Sequence, residues 1–425
     1  MVHWAIIGLG DVCAVKSGPA FYKCNGSTLS AVMRRTPNAA QQWIQNNANN
    51  LPNDVAQSIR AFDNIESMIH EMMTSSDGSG SVGLLDAIYV SSPPGAHLDN
   101  IKQIVNAVDA LPTTKYNGKI KAVYVEKPCG RCAWETRAMI NELNERNIQF
   151  YPAYVSRAHE RTQYIRNELL QKNVIGEDIT SVTYTQRGSS LARGLNNDNA
   201  DDNTIPWRLN AEQSGGGLIM DMRCHILDRI DYLFGPIQNV KSTVLRKGGG
   251  NSRSTTYPLV EDYVSMNATI GECAWSAINS VGAKVECTWD FSPRDEEDND
   301  EVDELVITGT KGSLRMAGMG AGQPIDVLDI NGELIRTIEF HAPKHAALPL
   351  IQSIVNELRG LDKAGDDGSS SSEKNCLVQS LARADNAVRT SEVLDSILGT
   401  YYGGRHDEFW SRPPDTWPGL VMKKT

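Results

Sequence analysis

The sequence predicts an α/β protein in which an N-terminal doubly wound parallel sheet precedes a large, mostly antiparallel open sheet. Up to about residue 153, short apolar runs alternate with helix-like segments, which is typical of a parallel sheet. Beyond that point the runs follow one another without long helices, which favours an antiparallel sheet. We therefore expect a dinucleotide-type domain over residues 1–153, an α+β domain over 154–400 and a C-terminal surface tail over 401–425.

The composition limits the class of function. A chain of 425 residues with 40% hydrophobic and 22% charged residues is long enough for two or more globular domains. Its formal net charge of −11 argues against nucleic-acid and anionic-membrane partners. No apolar run reaches the length of a transmembrane helix, no signal peptide precedes the first strand, and the eight cysteines are scattered. We expect a cytoplasmic protein without a nucleic-acid or membrane partner.

A glycine-rich turn follows the first strand candidate, His3–Ile7. The turn consists of Gly8, Leu9, Gly10, Asp11 and Val12, with Cys13 at the third glycine position. The first two glycines allow a tight turn and a close approach of the backbone to a pyrophosphate, and the third position requires only a small residue. The motif alone is weak evidence, but its place between an N-terminal strand and a helix-compatible segment indicates a Rossmann domain.

The second strand candidate, Leu29–Met33, ends in Arg34 and Arg35. A turn that prefers NAD places a carboxylate about 20 residues beyond the glycine motif, where it binds the ribose 2′-hydroxyl. A guanidinium instead offers paired donors to a 2′-phosphate. We therefore predict that NADP is preferred, mainly through Arg34 with Arg35 secondary, and that NAD is possible. The alternative is an exposed arginine pair at a strand end.

Two later strands end in residues that can carry chemistry. The strand Ala87–Val90 is closed by a two-proline turn, and the strand Ala122–Val125 ends in Glu126, Lys127 and Pro128. Ligands of an open parallel sheet bind beyond the carboxyl ends of its strands. An ammonium held there can bind a polarised oxygen, although a lysine at a strand end can also simply reach solvent.

A glycine triplet over residues 215–217 precedes a helix that we predict over residues 219–233. Asp221 and His225 are four residues apart and so are neighbours on one face of that helix. A carboxylate can orient the imidazole and raise its pKa, which suits a general acid or base. The simpler alternative is an ordinary ion pair on a helix.

The order of these motifs resembles the glucose–fructose oxidoreductase/inositol dehydrogenase (Gfo/Idh/MocA) family of NAD(P)-dependent sugar oxidoreductases. Segments 15–21, 206–208 and 349–358 are similar to one branch of it. The resemblance implies that Lys127 contacts the reacting oxygen and the cofactor, that His225 moves the proton, and that Asp221 binds substrate or positions His225. It implies that the cofactor site also includes Ser91, Pro93, His97 and Glu126. It implies that the substrate pocket is lined by Tyr154, Arg157, Trp207 and Arg208.

The resemblance favours a hydride transfer between nicotinamide and a hydroxyl or carbonyl group of a sugar, polyol or related cyclic compound. A glycosidase that retains NAD and a non-catalytic dinucleotide-binding regulator are the alternatives.

Strands of the second domain are predicted over residues 182–186, 264–270, 275–281, 284–291, 305–308 and 313–316. Helices can cover only one face of such a sheet, so we expect a homo-oligomer, a dimer or tetramer. No metal site is predicted.

Cys129 and Cys132 have the Cys-x-x-Cys spacing of some zinc and redox sites. No second cysteine pair lies nearby in the sequence. We interpret them as small residues that open the helix after Pro128. The alternative is a redox-sensitive thiol beside Lys127, since a helix N-terminus and a cation both favour the thiolate.

Overall fold

The computed structural model describes residues 1–10, 13–74, 83–111, 120–188, 206–248, 258–293, 301–361 and 382–421. The chain divides into two compact units. Unit 1 comprises Met1–Cys129, Arg137–His159 and Pro343–Ala384, and unit 2 comprises Gly130–Thr136, Glu160–Ala342 and Asp385–Thr425. Within the described ranges, no helix has the length and apolarity needed to cross a membrane.

Unit 1 contains a six-stranded parallel sheet with the strand order β3-β2-β1-β4-β5-β6. Its strands are β1 (Val2–Ile7), β2 (Ser27–Met33), β3 (Arg60–Phe62), β4 (Ala87–Val90), β5 (Ala122–Val125) and β6 (Gln149–Pro152). This is the strand order of a dinucleotide-binding Rossmann sheet. Every residue of β4 and β5 is buried. That burial explains why these strands read as continuous apolar runs rather than alternating ones.

Helices alternate with these strands along the first part of the chain. They are α1 (Gly18–Lys23), α2 (Ala39–Asn47), α3 (Asn53–Ser58), α4 (Ile65–Thr74), α5 (His97–Asp109) and α6 (Ala133–Asn144). The core of unit 1 includes an aromatic row in which Trp4 contacts Phe21, Phe21 contacts Tyr89, and Tyr89 contacts Tyr124.

A late segment of the chain also belongs to unit 1. The helix α10 (Leu348–Leu358) packs against α1 and buries Leu350, Ile351 and Ile354 in the same core. The predicted second domain, residues 154–400, includes this helix, because sequence order alone does not show that the chain returns to unit 1. The predicted boundary near residue 153 therefore describes the sheets but not the whole composition of unit 1.

Unit 2 contains an eight-stranded sheet with the order β14-β13-β12-β11-β7-β10-β9-β8. Its strands are β7 (Ile179–Arg187), β8 (Ile237–Leu245), β9 (Tyr263–Ile270), β10 (Lys284–Asp290), β11 (Val302–Gly309), β12 (Gly312–Met316), β13 (Ile325–Asp329) and β14 (Leu334–Ile338). Only β7 and β10 pair in parallel among these strands; the others pair antiparallel. The predicted fold class is confirmed.

The remaining α-helices of the described ranges are short, apart from two. They are α7 (Glu160–Tyr164), α8 (Ala211–Ser214), α9 (Cys224–Phe234), α11 (Ala384–Tyr402) and α12 (Pro418–Val421). The sheet alternates between a buried and an open face. In β10, Val285 and Trp289 are buried, whereas Lys284 and Glu286 are exposed. In β10 the open face is polar, as expected for a strand that is packed on its other face only.

One predicted strand is wrong. Residues 275–281 form turns with an isolated bridge between Asp178 and Asn279. Two serines of this segment use their hydroxyl groups on backbone carbonyls: Ser276 donates to Ile278 at 2.6 Å, and Ser280 donates to Phe234 at 2.6 Å. Such side-chain hydrogen bonds compete with strand pairing.

Candidate active site

The carboxyl ends of β1, β4 and β5 meet at one edge of the parallel sheet in unit 1, because the three strands are adjacent. The glycine turn, the two-proline turn and the Glu126–Lys127 pair follow these three strands. The glycine turn packs closely against the two-proline turn. Gly8 has φ +91°, and a Cβ atom there would lie 2.8 Å from the backbone nitrogen of Ser92. A glycine is therefore required at this position.

The turn after β1 leaves room for a ligand. A Cβ atom on Gly10 would meet no atom of the described residues within 4 Å. Cys13 is fully buried and begins a π-helical turn, Cys13–Ser17, which leads into α1. Asp11 and Val12, which we predicted to bind cofactor, lie outside the described residues. The open backbone at Gly10 fits the pyrophosphate of a dinucleotide.

Arg34 lies beside this turn. Its side chain is exposed, and one guanidinium nitrogen donates to the carbonyl oxygen of Leu9 at 3.4 Å. Its backbone nitrogen donates to the carbonyl of Phe62, which fixes the end of β2. Arg35 is also exposed. The structure thus brings Arg34 to the glycine turn, where a 2′-phosphate could pair with it.

Glu126 is engaged within unit 1. The hydroxyl of Tyr89 donates to its carboxylate at 2.6 Å and lies 2.8 Å from the hydroxyl of Ser17. Burial, reinforced by the nearby charge of Glu126, raises the pKa of Tyr89 well above its ordinary value, so the phenol remains a donor. The carboxylate also accepts a hydrogen bond from the backbone nitrogen of Lys127 at 3.1 Å. Glu126 therefore orients the backbone at Lys127, whose side chain is half-buried.

His97, which is predicted to contact the cofactor, lies in the interior of unit 1. Its side chain is fully buried, and its two ring nitrogens lie 2.6 Å and 2.7 Å from the carbonyl oxygens of Ser92 and Cys129. Both nitrogens face backbone, so His97 joins the turn after β4 to the segment after β5. Its predicted contact with the cofactor stays a prediction. Ser91 and Pro93 lie in the same turn and are half-buried.

Tyr154 and Arg157 follow β6 in unit 1. Tyr154 precedes a short 3₁₀-helix, Val155–Ala158, that contains Arg157. Both side chains are buried, with exposures of 0% and 1%. Their predicted contact with substrate stays a prediction.

In unit 2, the glycine triplet leads into a helix that begins differently from the predicted one. Ile219–Arg223 is a π-helical turn, and the regular α9 starts only at Cys224. Asp221 therefore lies in the π-turn and is buried, whereas His225 lies in the first turn of α9 and is half-buried. Single π-turns inside helices occur frequently at functional sites.

Asp221 has a partner that sequence reasoning missed. The Arg208 guanidinium lies 3.0 Å from its carboxylate and is stacked over the ring of Trp207, 4.5 Å from the ring centroid. Unit 2 thus brings together two predicted substrate residues and one predicted catalytic residue. The sequence predicts Trp207 and Arg208 as substrate residues. It does not show that Arg208 pairs with Asp221, which lies 13 residues further along the chain.

Cys129 and Cys132 are both buried. Burial raises the pKa of Cys132 to about 11, which keeps the thiol protonated at neutral pH. This supports the interpretation as small packing residues. Among the described residues, no three His, Cys, Asp or Glu side chains form a group that could hold a metal ion.

The chain thus combines a unit that contains a Rossmann-type parallel sheet with a unit that contains a mostly antiparallel sheet. Residues 167–315 match the model of the GFO/IDH/MocA C-terminal domain. The chain is 27% identical to "Oxidoreductase P35" of Formosa agariphila over 358 residues, which cover 83% of this chain and 90% of the relative. Residues 167–315 thus match a domain of the Gfo/Idh/MocA family, the family that the sequence resembles.

Solved structures share the fold. An aldose-aldose oxidoreductase from Caulobacter crescentus, complexed with glycerol, is 17% identical, with a TM-score of 0.63 over 93% of this chain and 96% of that chain. The super-repressor mutant of Gal80p from Saccharomyces cerevisiae is 15% identical, with a TM-score of 0.68 over 93% and 94%. Other structures of this fold, at 14–17% identity, were solved with NADH, NAD+ or NADP.

Proposed function

We propose that this protein is an NAD(P)-dependent oxidoreductase that transfers a hydride between nicotinamide and a hydroxyl or carbonyl group of a sugar, polyol or related cyclic compound. One observation carries the proposal: the edge of the unit 1 sheet at which the open glycine turn, Arg34 and Lys127 lie at the carboxyl ends of neighbouring strands. The relative from Formosa agariphila, described as an oxidoreductase, supports the reaction class.

In this proposal, Lys127, Asp221 and His225 are the catalytic residues. The bound nicotinamide supplies the hydride acceptor or donor. The Lys127 ammonium holds the substrate oxygen and stabilises the negative charge that develops on it. The imidazole of His225 takes the hydroxyl proton during oxidation and returns it during reduction. Asp221, paired with Arg208, binds a substrate hydroxyl or orients the imidazole.

The cofactor choice follows from Arg34. An exposed guanidinium that contacts the Leu9 carbonyl can offer its remaining donors to a 2′-phosphate. A carboxylate at this position would repel that phosphate. We therefore propose that NADP is preferred over NAD, with Arg35 as a secondary contact.

The substrate class rests on the relatives. Sugar-like compounds are named in several solved structures of the fold, among them levoglucosan dehydrogenase and the aldose-aldose oxidoreductase. Trp207 offers an aromatic face and Arg208 a hydrogen-bond donor, which together suit a polyhydroxylated ring. Tyr154 and Arg157 complete the proposed substrate residues.

The test is a screen of sugars, polyols and cyclic carbonyl compounds with NADPH and NADH, followed by variants on the best substrate. Lys127→Ala should reduce turnover by orders of magnitude, because the loss of one preorganised charge contact costs about 3–4 kcal/mol. His225→Ala should act similarly and should also change the pH dependence of kcat. Lys121→Ala is the matched control, since Lys121 precedes β5 at its other end and pairs with Asp86 at 2.8 Å.

Turnover close to wild type in Lys127→Ala or His225→Ala would refute the catalytic assignment. Product formation without net consumption of cofactor would instead indicate the glycosidase reaction. Dinucleotide binding without turnover of any substrate would favour the regulator.

The oligomeric state and the location stay proposals from the sequence. The polar open face of the unit 2 sheet supports a homo-oligomer, a dimer or tetramer, that pairs through this face. Light scattering should then give a particle larger than the 46.6 kDa of one chain. A cytoplasmic location is proposed from the scattered cysteines.

A further inference from the structure

The C-terminal segment, defined here as Tyr401–Val421, differs from the predicted surface tail. Tyr401, Tyr402 and Phe409 are fully buried, and Trp417 is 4% exposed. The rings contact one another: Tyr402 lies 5.0 Å from Phe409 and 4.8 Å from Trp417 between centroids. These four aromatic side chains therefore belong to the core of unit 2, whereas the sequence predicts a surface tail over residues 401–425.

Arg405 of this segment is a buried cation with backbone partners. One terminal nitrogen donates to the carbonyl oxygen of Gly215 at 2.5 Å, and the other donates to the carbonyl oxygen of Arg131 at 2.5 Å. The Nε atom donates to Asp395 at 3.0 Å, and the guanidinium stacks on Phe409 at 4.2 Å. A planar fork with five donors can hold all these groups at once, which an ammonium cannot.

The other end of the glycine triplet is held by the same segment through Glu261. The backbone nitrogen of Gly217 donates to one oxygen of this buried carboxylate at 2.9 Å. The hydroxyl of Tyr402 donates to the other oxygen at 2.5 Å. Thus Arg405 fixes Gly215, and Tyr402 fixes Gly217 through Glu261.

The glycine triplet is closely packed against neighbouring backbone. A Cβ atom on Gly215 would lie 2.6 Å from the carbonyl oxygen of Arg131, and one on Gly217 would lie 2.6 Å from that of Glu261. The π-turn with Asp221 starts two residues after Gly217. Arg405 also contacts this π-turn directly, because a terminal nitrogen of its guanidinium lies 3.4 Å from the sulfur of Met220.

We propose that Arg405 and Tyr402 are positioning residues, which clamp the glycine triplet and thereby fix Asp221 and His225 in the geometry that the reaction needs. This inference rests on the proposed function for its catalytic consequence. Neither residue touches the substrate in this proposal; each acts through the backbone at Gly215 or Gly217. All residues that make the clamp belong to unit 2.

The test compares Arg405→Lys with Arg412→Lys. Arg412 is the matched control, because it lies in the same segment and also donates to two backbone carbonyls, those of Gly403 and Gly404, but not to the triplet. Tyr402→Phe removes only the hydroxyl that holds Glu261 and serves as a second variant if Arg405→Lys does not fold. Three quantities are measured on the full chain: kcat and KM, NADPH affinity, and amide hydrogen exchange of peptides that cover residues 215–225.

We expect Arg405→Lys and Tyr402→Phe to lower kcat about 10- to 100-fold, as small misplacements of catalytic groups do. Exchange over residues 215–225 should become faster, whereas NADPH affinity should stay within about twofold of wild type. Arg412→Lys should change none of these quantities. A general loss of structure would lower NADPH affinity as well, so this pattern separates positioning from stability.

Unchanged exchange over residues 215–225 in both variants would overturn the clamp. A kcat equal to wild type in both variants would overturn the positioning role. Faster exchange in a protein whose wild type turns over no substrate would uphold the clamp and overturn the proposed reaction instead.

Discussion

The glycine turn of unit 1 and the glycine triplet of unit 2 both lead through a π-helical turn into a helix, but Gly10 of the turn differs from Gly215 and Gly217 of the triplet in what surrounds it. At Gly10, a Cβ atom would meet open space among the described residues. At Gly215 and Gly217, a Cβ atom would meet the backbone of Arg131 and Glu261 at 2.6 Å. The backbone at Gly10 leaves space for a ligand, whereas the space at Gly215 and Gly217 is filled by other residues of unit 2.

This difference separates binding from positioning. A glycine with open space in front of it allows a ligand to approach the backbone, so its substitution should affect affinity before stability. A glycine packed against protein backbone allows a buried network to form, so its substitution should affect stability and geometry together. The comparison predicts effects that differ in both kind and size.

The largest effect is expected for Gly215→Ala. The backbone has φ +83°, and the new methyl group would collide with the Arg131 carbonyl, which Arg405 also holds. We expect a loss of about 3 kcal/mol in the free energy of unfolding, since left-handed strain and a backbone clash act together. Urea unfolding of the wild type and the variant measures it. A loss below about 1 kcal/mol would show that the triplet can relax.

Gly10→Ala should reduce cofactor affinity and leave stability nearly unchanged, in contrast to Gly215→Ala. We expect the free energy of unfolding to stay within about 0.5 kcal/mol of wild type, because the methyl group meets no described atom. The affinity for NADPH should fall about tenfold, or about 1.4 kcal/mol, because the methyl group occupies the space proposed for the pyrophosphate. Calorimetric titration and urea unfolding measure the two quantities. Unchanged affinity would remove Gly10 from the cofactor site.

The same contrast explains how much the sequence could predict. The glycine turn, the strand that ends at Lys127 and the fold class depend on neighbours in sequence and on strand order, so local patterns were sufficient. The support of the triplet depends on contacts between residues far apart, such as that of Arg405 with Gly215, which are separated by 190 positions. Composition and periodicity contain no signal for such contacts.

His97 shows a different limit of sequence reasoning. Its place after the two-proline turn was predicted correctly, but its side chain faces two carbonyl groups inside the protein. A position in the chain near a cofactor edge does not show the direction of a side chain. The Arg208–Asp221 pair shows the same limit, since the sequence predicts both residues as site residues but does not predict their contact.

Arg34→Ala tests the contact of this side chain with the glycine turn of unit 1. We expect NADPH to bind about fivefold more weakly, or about 1 kcal/mol, because an exposed charged contact is worth little more than that. NADH affinity should stay nearly the same, since NADH lacks the 2′-phosphate. Arg35→Ala is the matched control and should have a smaller effect. Tighter binding of NADH than of NADPH by the wild type would refute the preference for NADP.

The smallest effect is expected from Glu261, and it probes the triplet through pH. Burial raises the pKa of Glu261 above its ordinary value of 4.5, while the hydrogen bonds from Tyr402 and Gly217 offset part of that increase. The folded state therefore binds a proton more tightly than the unfolded state. The stability that protonation of Glu261 contributes to the folded state is fully present below pH 4.5 and is lost as the pH rises through the raised pKa.

Glu261→Gln cannot titrate, so the variant should gain stability relative to the wild type as the pH rises from 4.5 towards neutrality. A constant offset is also expected, because Gly217 and Tyr402 donate to different carboxylate oxygens, and in glutamine one of these two atoms is an NH2 group that cannot accept. Urea unfolding of both proteins at several pH values separates the slope from the offset. Glu286→Gln removes an exposed carboxylate on β10 and reports the background effect of net charge. A difference between wild type and Glu261→Gln that is independent of pH would mean that the hydrogen bonds of Tyr402 and Gly217 fully compensate burial of the charge.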